Sequence, residues 1–138
     1  MSYKNLVVAL AGNEEEKQLI RTAIRLAKDL GGRLRVLHVN HPGAGKPHML
    51  MDAPEAIGEN DLRDLIRAAG HPAEADNLEI EIVEGDPYHE RIADATGSAD
   101  LMIVGHSQRN AFVSALIDSV DEKVANVARC PVVVVPKS

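Results

Sequence analysis

Short, unbroken apolar runs recur along the chain, at residues 6–10, 101–104 and 132–135. Apolar runs without alternation are typical of strands that are covered on both faces, as in a parallel sheet. A mixed run at 34–39 predicts a further strand, and the run at 78–83 alternates apolar with acidic residues, which indicates a half-exposed edge strand. The pattern therefore predicts five strands.

Apolar residues at helical spacing fill the segments between these strands. The first helix is predicted to begin at Asn13, in a capping box with Glu16, and to end at Gly31. The second is predicted to stop at Gly70 and Pro72. Two further helices are predicted, one after residue 85 and one over 112–129. The positions predicted to face the core are Leu19, Ile20, Ala23, Ile24, Ala27 and Leu30 in the first helix, and Leu62, Leu65, Ile66 and Ala69 in the second.

Strand and helix alternate without a break, and right-handed crossovers turn that order into one parallel sheet. We therefore predict an α/β fold, a doubly wound five-stranded parallel sheet with helices on both faces, formed by one domain over residues 1–138. Ligands of such folds bind beyond the carboxyl ends of the strands. Gly105, which ends the fourth apolar run, is expected at that edge.

Composition narrows the classes of function. Aromatic residues make up 2% of the chain and Trp is absent, so stacking on single-stranded bases is not expected. The net charge of −6 argues against nucleic acid and anionic membrane surfaces as partners. The single cysteine, Cys130, excludes an internal disulfide, and no apolar run approaches the length of a membrane span. The amino terminus lacks a signal-peptide pattern, so a cytoplasmic protein is expected.

Two stretches carry a resemblance to a known family. The first strand and turn, residues 8–13, read Val-Ala-Leu-Ala-Gly-Asn, and Gly105 and Ser119 stand fourteen positions apart. Both stretches, and the chain as a whole, resemble the universal stress protein family. The resemblance implies the strand order 3-2-1-4-5. It also implies a candidate nucleotide pocket for ATP or AMP, formed by Gly12, Val39, Gly105, Ser119 and Val120, with Val39 contributing a backbone contact.

The nucleotide signature of the family is incomplete in this chain. Ala11 replaces an aspartate of the first turn, and Gln108 and Asp118 replace two glycines of the phosphate loop. Asp118 is the most damaging change, because a carboxylate about 5 Å from a phosphate costs roughly 3 kcal/mol at an effective dielectric constant of about 20. Ser119 has two interpretations, a phosphate contact or a helix cap paired with Glu122, and the cap is the favoured one.

These departures favour a stress-response regulatory or interaction protein with a lost or weak ATP site. No cofactor is then expected, and any catalysis is limited to slow ATP hydrolysis. The alternative is a functional ATP- or AMP-binding protein that uses the same pocket. A hydrolase or ligase on this fold has no residue in its favour.

The last strand carries the expectation about assembly. In the family order it lies at a sheet edge, and an exposed edge of valines is a template for pairing with another chain. The resemblance implies a homodimer in which two copies of this strand pair across a two-fold axis. The residues of that interface are Val132, Val133, Val134 and Val135. A protein partner is expected in addition.

Other chemistry-bearing residues have ordinary explanations. His38, His41, His48 and His106 surround the ends of two predicted strands, but their spacing matches no standard metal site and none is predicted. Asp100 and Cys130 are predicted to be structural. The segment Gly-Ala-Gly-Lys at 43–46 precedes a proline, so it lacks the Ser or Thr that a phosphate-binding loop needs.

Overall fold

A computed structural model describes residues 3–10, 12, 14–40, 57–84, 97–105 and 130–135. The strands are β1 (Asn5–Ala9), β2 (Arg33–Asn40), β3 (Glu79–Glu84), β4 (Leu101–Gly105) and β5 (Val132–Val135). The helices are α1 (Lys17–Leu30), which follows a 3-10 turn at Glu14–Glu16, then α2 (Glu59–Ala68) and α3 (Pro72–Asn77). Within these ranges, no helix has the length and apolar character needed to cross a membrane.

All five strands are parallel and lie in the order β3-β2-β1-β4-β5. This confirms the predicted doubly wound sheet and its strand order. The chain runs outward from β1 to β3, then returns to the other side of β1 with β4. The carboxyl ends of β1 and β4 therefore form the point at which the direction of winding reverses, which is where such folds bind ligands.

Both faces of the sheet centre are buried. On one face, alternate residues of β1 such as Leu6 and Val8 pack against α1 and α2. On the other face, Val7 and Ala9 pack with Leu37. This two-sided burial explains why β1 and β4 have no polar alternation. The described helices lie against the first face, and the helices predicted after residue 85 and over 112–129 lie outside the described residues.

The predicted core face of α1 is buried with one exception. Leu19, Ile20, Ala23, Ile24 and Ala27 are buried, whereas Leu30 is 41% exposed, so its predicted inward position is wrong. Leu30 is the last residue of α1, where the chain turns away through Gly31. Gly31 has a φ of +69° and its N–H bonds to carbonyls of the last helical turn, as predicted for a glycine that ends a helix.

The end predicted for the second helix at Gly70 and Pro72 is confirmed, since α2 ends at Ala68. The four predicted core positions of α2 are buried, and Gly70 turns the chain with a φ of +96°. Pro72 then begins a short helix that was not predicted. Proline is tolerated in a first helical turn because the N–H that it lacks would have no helical partner there. Arg63 ties α3 to α2, since its guanidinium donates to the carbonyls of Ala75 and Leu78 at 2.7 and 3.2 Å.

Candidate functional site

The ends of three strands meet at the carboxyl edge of the sheet. Ala9 of β1 pairs with Leu37 of β2, and Gly105 at the end of β4 is buried and pairs with Val135 of β5. The structure thus places three predicted site residues, Gly12, Val39 and Gly105, at this edge. Ser119 and Val120 lie outside the described residues, as do Ala11, Gln108 and Asp118.

Leu10 is the first residue after β1, and both its backbone N–H and its carbonyl bond to residues of β2. Its N–H donates to the Leu37 carbonyl at 2.9 Å, and its carbonyl lies 2.7 Å from Nδ1 of His38. Because a carbonyl can only accept, Nδ1 carries the hydrogen. The His38 ring is 5% exposed. The bond satisfies a buried polar side chain and fixes the position from which the chain enters the loop.

Gly12 is held by the other end of the loop. Its φ is +91°, a conformation that favours glycine. Its N–H donates to Oε1 of Glu16 at 2.6 Å, and Glu16 is 2% exposed. A Cβ at Gly12 would lie 3.1 Å from Cγ2 of Ile57, so Ile57 forms an apolar wall beside the turn. The turn between β1 and α1 is therefore held by contacts within the chain.

The α-helix α1 begins later than the start predicted at Asn13. The α-helix begins at Lys17, because Glu14–Glu16 form a 3-10 turn. The Glu16 carboxylate bonds to the N–H of Gly12, one residue before the partner that the capping box assigns to it. Asn13 itself lies outside the described residues. The capping box of Asn13 with Glu16 therefore stays a prediction, and the structure adds a bond from the Gly12 N–H to Glu16.

Negative charge dominates the start of this helix. Three consecutive glutamates, Glu14–Glu16, precede α1. Lys17 follows them, and its ammonium lies 2.9 Å from Oε2 of Glu14. Carboxylates at a helix N-terminus interact favourably with the partial positive charge there. The same interaction removes the attraction that this end of the helix would offer to a ligand phosphate.

Metal binding gains no support at this edge. Nδ1 of His38 is occupied by the Leu10 carbonyl. His41, His48 and His106 lie outside the described residues. Across the described part of the chain, no three His, Cys, Asp or Glu side chains are grouped as metal ligands.

A cleft of about 200 Å³ lies at the opposite edge of the sheet, lined by Asn5, Leu6, Arg33, Arg35, Glu79 and Ser98. Ser98 lies shortly before β4, and the other residues lie at the starts of β1, β2 and β3, so the cleft is remote from Gly12 and Gly105. Nη1 of Arg35 lies 3.1 Å from Oε2 of Glu81, so part of its charge is compensated. This cleft was not predicted, and it does not coincide with any predicted site residue.

Two residues predicted to be structural have clear roles. Oδ2 of Asp100 accepts hydrogen bonds from the N–H groups of Lys4 and Asn5, both at 2.9 Å, and so joins the start of β4 to the start of β1. Cys130 is half-buried. Burial, and secondarily the charge of Asp100, raises the pKa of the Cys130 thiol above its usual range. A neutral thiol is a poor nucleophile, which agrees with the prediction that Cys130 is inert.

The predicted dimer strand lies at the end of the sheet. β5 pairs with β4 and is last in the strand order. Val133 and Val134 are 36% and 39% exposed, while Val135 is buried. An edge strand presents unpaired backbone N–H and C=O groups to a second chain, and exposed apolar side chains there favour pairing. The edge position is confirmed, and the pairing stays a prediction.

The two bonds that close the loop were missed at the level of the sequence. The Glu16 bond had a partial signal, an acidic residue shortly after the glycine of a strand–helix turn. The His38 bond had none, because it joins residues that are 28 positions apart and depends on the pairing of β1 with β2.

Comparison with known proteins identifies relatives along the whole chain. Residues 2–136 match the model of the universal stress protein family. The chain is 25% identical to a universal stress protein of Methanocaldococcus jannaschii, over 98% of this chain and 83% of that protein. It is 23% identical to the universal stress protein YxiE of Bacillus subtilis, over 96% and 99% of the two chains. A solved universal stress protein in complex with cAMP superimposes with a TM-score of 0.61 at 23% identity, over 100% of both chains.

Proposed function

The chain belongs to the universal stress protein family, and from that premise we propose that it is a stress-response regulatory protein which acts through protein contacts. In this proposal the protein is a cytoplasmic homodimer and its ATP site is lost or weak. It needs no cofactor, and any hydrolysis of ATP is slow.

The bond between the Gly12 N–H and the Glu16 carboxylate carries this proposal. Phosphate sites at the ends of parallel strands are built from backbone N–H groups that point at the ligand. Here the N–H of Gly12 is engaged at 2.6 Å by a buried carboxylate, and the N–H of Leu10 is engaged by Leu37. A phosphate would have to displace these bonds and approach a negative charge.

The residues that depart from the family signature support the same conclusion. Gln108 and Asp118 stand where the family signature has glycines, and Ala11 stands where it has an aspartate. A side chain at a phosphate-binding glycine keeps the backbone away from the ligand, and a carboxylate repels it. Three departures at positions that serve one site, together with the Glu16 bond, favour weak binding.

The two edges of the sheet support assembly through β5. The β3 edge carries Glu79 and Glu81, and charged residues on an edge oppose pairing with another strand. The β5 edge presents Val133 and Val134 instead. A two-fold pairing of β5 with its own copy would cover both valines in each protomer.

A working adenine-nucleotide pocket is the second candidate. The ends of β1 and β4 adjoin at the winding reversal, Gly12 keeps its positive φ, and Gly105 lies at the same edge. The solved structure of the cAMP complex, which shares this fold, indicates that adenine nucleotides are the ligands to test. In this candidate the phosphate contacts come from Ser119 and its neighbours.

Nucleotide that copurifies with the protein distinguishes the two candidates. The protein is purified without added nucleotide, denatured, and its supernatant is analysed by mass spectrometry, with a known ATP-binding protein processed in parallel. The proposal predicts no stoichiometric nucleotide. ATP or AMP at close to one equivalent per protomer would refute the weak site and establish the second candidate.

A further inference from the structure

The cleft at the amino edge of the sheet is small and polar. Its volume is about 200 Å³, and of the six described residues that line it only Leu6 is apolar. Sites for drug-sized ligands occupy about 300–1,000 Å³, so this cleft suits a smaller molecule than a nucleotide. Its charged and polar side chains therefore decide which ligand it can bind.

Arg35 is the charge of the cleft that already has a partner. Its direct neighbour in the pairing of β2 with β3 is Glu79. Nη1 of Arg35 nevertheless lies 3.1 Å from Oε2 of Glu81, two residues further along β3, and the Arg35 side chain is only 21% exposed. Arg35 is thus a fixed wall of the cleft, and its ion pair is made with Glu81 in place of Glu79.

Arg33 and Glu79 are the two charges of the cleft that a ligand can engage. Within the described residues, neither side chain forms a salt bridge or a hydrogen bond. Arg33 lies two residues before Arg35 on β2, so it shares the face of the sheet that carries Arg35 and Glu79. Strand rise and spacing separate the Cα atoms of Arg33 and Glu79 by about 8 Å. Their side chains can therefore flank a small molecule.

One positive and one negative group suit a ligand that carries both charges. A simple anion would gain at Arg33 but would be repelled by Glu79, and a simple amine would meet the reverse. An amino-acid zwitterion satisfies both, because its carboxylate accepts from the planar guanidinium and its ammonium donates to the carboxylate of Glu79. The side chains of Asn5 and Ser98 line the same cleft, and they suit a small side chain on the ligand.

We propose that the amino-edge cleft binds a small neutral amino acid as its zwitterion, with Arg33 at the carboxylate and Glu79 at the ammonium. The site lies at the edge of the sheet opposite Gly12 and Gly105, so its occupancy is independent of the nucleotide pocket. Arg33 and Glu79 are both exposed, and solvent weakens each ion pair. Binding is therefore expected at millimolar concentrations of the amino acid.

The test compares three molecules of similar size by NMR titration. L-Alanine carries both charges, propionate lacks the ammonium, and ethylamine lacks the carboxylate. The backbone amide signals of the residues that line the cleft report both the affinity and the place of binding.

Four variants assign the two charges. Arg33→Gln and Glu79→Gln each remove one charge from the cleft. Arg25→Gln and Asp29→Asn are the matched controls, because both positions are exposed on α1, which packs against the other face of the sheet. Thermal unfolding checks that each variant is folded.

The unmodified protein is expected to bind L-alanine with a dissociation constant of about 1 mM. Propionate and ethylamine should bind about tenfold more weakly, because each lacks one charge-assisted hydrogen bond. Arg33→Gln and Glu79→Gln should each weaken L-alanine binding about tenfold for the same reason. Glu79→Gln should not weaken propionate binding, since it removes a repulsion, and Arg33→Gln should not weaken ethylamine binding. The two controls should change each affinity less than about twofold.

Three results would overturn the inference. One is the absence of saturable shifts in the cleft signals at tens of millimolar L-alanine. Another is propionate that binds as tightly as L-alanine with no loss of L-alanine affinity in Glu79→Gln, which would indicate a site for anions. The third is an equal loss in Arg33→Gln and Arg25→Gln, which would indicate a general effect of charge. All three leave the proposed regulatory function standing. If a variant does not fold, the affinity order of the three molecules in the unmodified protein decides.

Discussion

The carboxyl edge around Gly12 and the outer edge at β5 differ in whether their groups make contacts within the chain. At the carboxyl edge, the backbone groups of Leu10 and Gly12 bond to His38, Leu37 and Glu16 within the chain. At β5, Val133 and Val134 remain more than one-third exposed on the last strand of the sheet. The proposed function interprets this contrast as a loss of ligand contacts at the first edge and a contact surface for another chain at the second.

The largest expected effect tests the β5 side of this contrast. Val133→Lys should raise the dissociation constant of the dimer about a hundredfold, or about 3 kcal/mol, because a two-fold interface contains each substitution twice and each buried charge opposes pairing. Light scattering or analytical ultracentrifugation over a concentration series measures it.

The control for this substitution lies on the opposite edge. Ile80→Lys in β3 is unsuitable because it would destabilise the fold. Glu79→Lys is the suitable control, because Glu79 is an exposed position of the β3 edge. It should leave the dimer unchanged. A monomer at all micromolar concentrations in the unmodified protein would remove the β5 half of the comparison.

Restoring the signature residues at Asp118, Gln108 and Ala11 is expected to let phosphate bind at the carboxyl edge. Asp118→Gly should improve ATP affinity by roughly a hundredfold, or about 3 kcal/mol, since it removes a charge about 5 Å from the expected phosphate position. Gln108→Gly should help less, because a neutral side chain hinders without repelling. Ala11→Asp should add affinity only after Asp118 is replaced.

Titration calorimetry on each variant gives these affinities. Asp121→Asn, which removes one negative charge two residues after Ser119, is the control for a general change in net charge. Equal gains from Asp118→Gly and Asp121→Asn would show that net charge, and not the loop, governs binding.

Loss of the hydrogen bond between His38 and the Leu10 carbonyl should lower the free energy of unfolding by an intermediate amount. His38→Leu fills similar space but leaves the buried Leu10 carbonyl without its donor, which costs about 2 kcal/mol. His38→Asn can place an amide N–H at the position of Nδ1 and should retain most of that stability. Urea unfolding measures both variants, and equal losses in Leu and Asn would argue that the hydrogen bond contributes nothing.

The smallest effect separates strain from packing at Gly12. Gly12→Ala and Gly31→Ala both place a side chain at a positive φ, of 91° and 69°, which costs about 1 kcal/mol each. At Gly12 the new Cβ also meets Ile57 at 3.1 Å, whereas nothing lies within 4 Å at Gly31. Gly12→Ala should therefore be the more destabilising by about 0.5–1 kcal/mol. Equal losses in chemical unfolding would mean that Ile57 yields without cost.

Much of the fold was predictable because its signals are local. Unbroken apolar runs marked the doubly buried β1 and β4, alternation marked β3 as an edge strand, and Gly31 marked the end of α1. Leu30 was misjudged because helical spacing does not say where a helix leaves the sheet. The short helix that begins at Pro72 was missed because a proline after a helix can begin another one. The strand order came from the resemblance, since alternation of strand and helix fits several orders.

The candidate site was less predictable because its decisive contacts are tertiary. Gly12, Val39 and Gly105 could be assigned to one edge from strand ends and resemblance. That the Gly12 N–H is taken by a buried carboxylate, and that His38 holds Leu10, depends on a 3-10 turn and on strand register, neither of which a single sequence specifies. The signature alone indicates weak nucleotide binding, and these contacts add hydrogen bonds that occupy the backbone groups of the turn after β1.

Calorimetric titration of the unmodified, nucleotide-free protein with ATP tests the central claim most directly. The account predicts no saturable heat at micromolar ATP, because the donors of Leu10 and Gly12 are occupied within the chain and Glu16 adds a buried negative charge. A single-site isotherm with a micromolar dissociation constant and one ATP per protomer would contradict it.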